Sequence, residues 1–183
     1  MDDREAVARL QAGDLSGLET LVRRYQVRAL RAAFLISGER ELAEEAVQEA
    51  FLRFYRGVRR FDPSRPVAPY LYRIVVNTTL NMVRRERRDL SLEQMSLQQA
   101  EALLAQAETV EGEVERALLA AQIEKALAAL SPRQRAVIVR RYYLGMSEQE
   151  MADAMGVSRG TIKRLLHNAR GRLRRILGEE QRP

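Results

Sequence analysis

Apolar positions recur along this chain at spacings of three and four, and no useful run alternates in the two-residue rhythm of a half-buried strand. The pattern predicts an almost wholly helical protein. Helices are expected near 4–12, 15–36, 39–60, 67–87, 113–130, 133–143, 147–155 and 159–177. Their ends are marked by Gly13-Asp14, Ser37-Gly38, the loop Asp62-Pro63-Ser64-Arg65-Pro66, Ser131-Pro132, Gly145-Met146-Ser147 and Gly156-Val157-Ser158. Inward-facing positions are Ala43, Val47, Ala50, Phe51, Phe54 and Val58 on the third helix, and Val67, Leu71, Ile74, Val75 and Thr78 on the fourth.

Residues 88–112 interrupt this regularity. They are rich in Gln, Glu, Ser, Leu and Ala and have no wide apolar face, so they read as a linker, partly helical at most. The expected organisation is therefore a four-helix lobe over 1–88, a linker over 89–112 and a second helical lobe over 113–183. A chain of 183 residues fits two small cores better than one large one.

Charge sharpens the division. Residues 1–88 carry 17 basic and 12 acidic side chains, 89–125 carry 2 and 8, and 126–183 carry 12 and 5, so two basic lobes flank an acidic connector. Lys125 and Lys163 are the only lysines, and arginine, with its planar fork, suits phosphate and base edges. The chain has no Cys and one His, which argues against disulfide frameworks, thiolate nucleophiles and zinc or multi-histidine centres. No cofactor, metal or enzymatic activity is expected, because no acid, base or nucleophile constellation is visible. The start, Met1-Asp2-Asp3-Arg4, lacks the apolar core of a secretory signal and no stretch is long enough for a membrane span, so a cytoplasmic protein without membrane insertion is expected.

The strongest local signal runs from Glu148 to Leu165. A helix-turn-helix needs a small residue where its helices touch, a Gly in the turn and apolar residues on either side; Ala152, Gly156, Met151, Met155, Val157, Ile162 and Leu165 meet those demands together. Ser147 with Glu150 forms a capping box on the first helix, and Ser158 can cap the second. On that second helix Ile162, Leu165, Leu166, Ala169, Leu173 and Ile176 share one face, while Arg159, Lys163, His167, Arg170 and Arg174 share another. The basic face suits duplex DNA, its N-terminal residues entering the major groove and its later arginines meeting phosphate.

The first lobe carries two further arrays. Helix 67–87 aligns Arg73, Asn77, Asn81, Arg84 and Arg88 along one strip with Tyr70 at its edge, a set suited to a nucleic-acid strand through amide, guanidinium and ring contacts. Helix 39–60 exposes Glu41, Glu44, Glu45, Gln48 and Glu49 ahead of Arg53, Arg56, Arg59 and Arg60. By itself such a face is commonly solvated surface with charges suited to the helix dipole.

Together these segments resemble the sigma-70 family of bacterial RNA polymerase subunits, in its small extracytoplasmic-function group with only domains 2 and 4. In the first lobe the resemblance rests on Ala43-Glu44-Glu45-Ala46-Val47-Gln48-Glu49-Ala50-Phe51, on Phe61-Asp62-Pro63, on Tyr70 to Asn77 and on Arg84-Arg85-Glu86-Arg87-Arg88. In the second it rests on Leu127 to Arg135 and on Gly160-Thr161-Ile162-Lys163 to Ala169-Arg170. It implies that Glu45, Gln48 and Glu49 dock on the polymerase beta' clamp helices, and that Tyr70, Arg73, Asn77, Asn81, Arg84 and Arg88, with the loop from Phe61 to Pro66, capture the melted minus 10 strand. It further implies that Ser158, Arg159, Thr161, Lys163, Arg164, His167, Arg170 and Arg174 meet the minus 35 duplex. The second lobe would also grip the beta flap. Core RNA polymerase, promoter DNA and an anti-sigma factor are the implied partners. Three positions depart from the pattern: Tyr70 stands where the family usually has Trp, Arg164-Leu165 replaces a common Ser-Arg pair, and Asn168 replaces a common Arg.

Two other functions compete. A helix-turn-helix regulator binding duplex DNA as a dimer accounts for the second lobe but leaves the Asn/Arg strip and the Gln48-Glu49 face unused. A sigma mimic that titrates a regulator would not need the basic strips.

Overall fold

The computed structural model describes residues 1–90 and 111–179, and every regular element among them is a helix. In chain order these are α1 (Asp3–Gln11), α2 (Ser16–Ser37), α3 (Arg40–Gly57), a 3-10 turn (Val58–Arg60), α4 (Val67–Leu90), α5 (Glu111–Ala128), α6 (Pro132–Ile138), a π turn (Val139–Tyr143), α7 (Glu148–Met155) and α8 (Arg159–Glu179). All eight expected helices are present. The middle of the expected linker, 91–110, lies outside the described residues, as do the side chains of 87–90, Arg88 among them. None of the described helices is long and apolar enough to cross a membrane.

Side chains close the helix ends that sequence marks. Asp2 accepts the Glu5 amide at 2.8 Å and starts α1. Ser147 and Glu150 form the expected reciprocal box on α7, with Glu150 Oε2 accepting the Ser147 amide at 2.7 Å and Ser147 Oγ accepting the Glu150 amide at 3.2 Å. Ser131 and Gln134 make the same box on α6, with Pro132 at the first helical position. Gly156 ends α7 at φ 62°, a left-handed conformation costly for any residue with a Cβ, and so turns the chain into α8.

Two cores form around these helices. Val7, Leu21, Phe54, Leu71 and Val75 centre the first, between α1, α2, α3 and α4; Val137, Met151, Ile162 and Ala169 centre the second, between α6, α7 and α8. All six inward positions expected on helix 39–60 are buried, five on α3 and Val58 in the 3-10 turn. Helix α1 packs so closely on α2 that a Cβ at Gly17 would lie 2.1 Å from the Ala6 carbonyl oxygen. At its end the Gln11 amide donates to the carbonyls of Val58 and Phe61, both at 2.8 Å, tying down the turn that leads into the 61–66 loop.

A third cluster joins the lobes. Ala32 and Ile36 of α2 and Val76 and Leu80 of α4 pack against Ala136 and Val139. Helix α4 is thus buried on two sides, whereas its local pattern announces only the face containing Leu71 and Val75. Arg28 fastens the same seam: its guanidinium lies 5.6 Å from the Tyr72 ring centre and 5.7 Å from that of Tyr143, and donates to the Tyr143 carbonyl at 2.7 Å. Arg31 pairs with Glu124 at 2.7 Å, and Arg135 donates to the Ser37 carbonyl at 3.4 Å.

Candidate nucleic-acid interface

Helix α8 buries Ile162, Leu166 and Ala169 and half-buries Leu165, Leu173 and Ile176, which turns the opposite stripe outward. Arg159, Lys163, Arg164, His167, Arg170 and Arg174 are all exposed along it. At its start Ser158 Oγ accepts the Thr161 amide at 3.2 Å and stands 3.0 Å from Thr161 Oγ1, so the expected cap is formed. Arg159 faces Glu148 of α7 at 3.7 Å, a loose pair of an exposed guanidinium with a half-buried carboxylate that leaves the arginine able to exchange partners. The result is a positive ridge whose first residues stand at a helix N-terminus.

The α4 strip begins beside a nest of rings. Tyr70 packs 4.9 Å from Phe61 and 5.9 Å from Phe54, measured between ring centres, and Arg73 lies 5.4 Å from the centre of the Tyr70 ring. The adjoining loop is held by Asp62, whose carboxylate accepts both the amide and the hydroxyl of Ser64; those bonds keep it below the usual carboxylate range. Arg73, Asn81 and Arg84 are exposed. Asn77 differs from its neighbours on the strip. Its Oδ1 accepts Arg140 Nη2 at 2.7 Å and its Nδ2 donates to the Ala154 carbonyl at 3.4 Å, so both ends of its amide are engaged by the second lobe.

Arg140, in the π turn, is the residue that sequence reasoning missed here. Its relative exposure is 0% while its neighbour Arg141 is exposed. The π turn, closed by the Leu144 amide on the Val139 carbonyl at 2.9 Å, re-phases the chain and turns Arg140 inward against α4. A faint signal existed: Arg140 directly follows the apolar run from Ala136 to Val139.

In the first lobe, α3 presents Glu45, Gln48 and Glu49 on one side, the first two exposed and Glu49 half-buried. Glu49 pairs with Arg53 at 2.7 Å, which holds its carboxyl below the usual range. Two apolar side chains interleave with this acidic face, Leu52 at 47% exposure and Tyr55 at 40%. Both fall outside the buried positions on the helical wheel, which is how sequence could have found them. Acidic heads beside exposed apolar groups suit a protein surface better than DNA.

Comparison with known proteins bears on the family and the fold. A model described as Sigma-70 region 2 matches residues 21–89, and one described as Sigma-70, region 4 matches 120–173. The chain is 34% identical over 176 residues to the ECF RNA polymerase sigma factor SigM of Mycobacterium tuberculosis (strain ATCC 25618 / H37Rv), covering 96% of this chain and 85% of that protein. It is 26% identical over 179 residues to the ECF RNA polymerase sigma factor SigW of Bacillus subtilis (strain 168), covering 95% and 96%. Among solved structures, CnrH in complex with the cytosolic domain of CnrY shares the fold at TM-score 0.70 and 24% identity, covering 98% of this chain and 99% of that one. The sigma factor RpoE in complex with the anti-sigma factor NepR from Bartonella quintana does so at TM-score 0.70 and 22% identity, covering 87% and 96%.

Proposed function

The chain belongs to the sigma-70 family of RNA polymerase sigma factors, in its extracytoplasmic-function group, and from that membership we propose how its surfaces divide the work. Residues 1–88 act as domain 2, 89–112 as the linker and 113–183 as domain 4. Glu45, Gln48 and Glu49 bind core polymerase, with Leu52 and Tyr55 adding apolar area. Tyr70, Arg73, Asn77, Asn81, Arg84 and Arg88 take the melted minus 10 strand, the amides reading bases and the arginines holding phosphate. The α8 ridge, through Ser158, Arg159, Thr161, Lys163, Arg164, His167, Arg170 and Arg174, takes the minus 35 duplex. Capture of unstacked bases offsets the few kcal/mol that melting costs, on the order of one stacking step per captured base.

The observation that carries the reading is the coexistence, in one chain matching both regions, of an exposed basic ridge on α8 and an amide-guanidinium strip on α4. An anti-sigma partner is supported by one structural relative, the sigma factor RpoE, which was solved with the anti-sigma factor NepR. Run-off transcription with core polymerase tests the whole assignment. Asn77→Ala with Asn81→Ala is expected to leave closed binding near normal and to abolish permanganate reactivity of promoter thymines; normal melting by that variant refutes the strip.

Salt dependence separates anchoring from reading on α8. Arg170→Ala and Arg174→Ala should each reduce the slope of log affinity against log salt by roughly 0.9 on any duplex. Arg159→Ala and Lys163→Ala, near the helix start, should also narrow the difference between matched and scrambled minus 35 duplexes. Four substitutions that weaken both duplexes by the same factor would make α8 an anchor only.

A further inference from the structure

The seam between the lobes buries a full positive charge without satisfying it. Arg140 is wholly enclosed, and among the described residues its side chain has one hydrogen-bond partner, Asn77 Oδ1 on α4. Its Nε and Nη1 have none. No carboxylate pairs with it among the described residues, and the charged group that acts on it across the seam is Arg73, of the same sign. Burial and Arg73 push the guanidinium down to about 10, far below the ordinary arginine range. A guanidinium offers five N–H donors, so most of its capacity is stranded in a place that water cannot reach. One bond to a neutral amide does not offset a desolvated cation with stranded donors.

The closed arrangement also engages the residue that strand binding needs. Asn77 spends its oxygen on Arg140 and its nitrogen on Ala154, so the seam and a captured base compete for the same amide. The apolar part of the seam, from Ile36 and Val76 to Ala136 and Val139, favours closure; Arg140 opposes it.

We propose that Arg140 is a built-in destabiliser of the closed arrangement, keeping the seam shallow so that the lobes part readily and Asn77 becomes free. The benefit to strand binding rests on the function proposed above; the effect on closure does not. Replacing Arg140 with an apolar side chain of similar length should therefore tighten the seam, the opposite of what loss of a useful hydrogen bond would do.

The chain has no natural cysteine, so Glu41→Cys with Arg175→Cys places a dye pair, one dye on each lobe, without background labelling. Single-molecule energy transfer on the full chain should resolve both open and closed populations, and a chain found wholly in one form overturns the proposal. Arg140→Leu should raise the closed-to-open ratio at least tenfold, and Arg140→Met should move it in the same direction. Helicity by circular dichroism checks that each variant is folded. An unchanged ratio, or a shift toward the open form, in a folded variant overturns the proposal. A mixed-sequence single-stranded 12-mer then tests the link to function: its apparent affinity should fall by the loss in open fraction. Tighter closure with unaltered 12-mer binding supports the role of Arg140 and refutes the assignment of Asn77 to strand capture.

Discussion

Glu45→Lys, Gln48→Ala and Glu49→Lys in one chain are expected to weaken binding to core RNA polymerase by roughly 100-fold, since placing like charge into an electrostatically matched interface is costly. The folded lobe should survive. Glu45 and Gln48 are exposed, and Glu49 makes only the surface pair with Arg53, whose loss costs a helix little. The buried side of α3, including Ala46, Val47, Ala50 and Phe54, is untouched. Fluorescence anisotropy of the labelled chain titrated with core enzyme measures the loss, and thermal unfolding should move by no more than a few degrees. Full affinity in the triple variant would place the polymerase contact elsewhere. Leu52→Ala, made alone, would then show whether the apolar half of this face binds without the acidic half.

The second large effect concerns stability and runs against helix propensity. Gly17 lies in the first turn of α2, and within a helix Ala is ordinarily preferred to Gly. Here the added methyl would stand 2.1 Å from the Ala6 carbonyl oxygen and 3.0 Å from the Leu10 nitrogen. Both are backbone atoms of α1, so no side chain can swing away. Helix α1 has to lift, and with it go Ala6, Val7 and Leu10 from the core and the Gln11 bonds that secure the turn after α3. Gly17→Ala should cost about 3 kcal/mol, as overpacking does at a site that cannot relax. For a lobe of this size that lowers the melting temperature by roughly 10 °C or more. A stabilised Gly17→Ala protein would show that α1 docks loosely.

These two cases also show what local sequence could and could not reveal. Glu45, Gln48 and Glu49 were legible because a helix exposes what its apolar stripe leaves out, and the stripe of α3 is regular. The helix-turn-helix was legible for a similar reason: Ser147, Glu150, Ala152, Gly156 and Ser158 act within a few residues of one another. Gly17 carried no such signal, since its reason lies on a different helix. The second buried side of α4, through Val76 and Leu80, was equally silent, because it is made by residues of α2 and of the second lobe, all distant along the chain. Arg140 and Arg141 are adjacent and chemically identical in sequence; only the π turn, a departure from regular helix that periodicity assumes away, sends one inward and leaves the other in water.

The stacking of Arg28 between Tyr72 and Tyr143 has a spectroscopic consequence. The chain contains six Tyr, four Phe and no Trp, so its near-ultraviolet circular dichroism is dominated by tyrosine. Tyr72 and Tyr143 belong to different lobes yet share one cation, and Tyr72 also meets Tyr25 edge-on at 5.9 Å. Parting the lobes takes Tyr143 away from this fixed asymmetric environment while every helix stays intact. Near-ultraviolet ellipticity would then decline at constant far-ultraviolet ellipticity, and an unmodified chain would report its own opening as an optical event separate from unfolding.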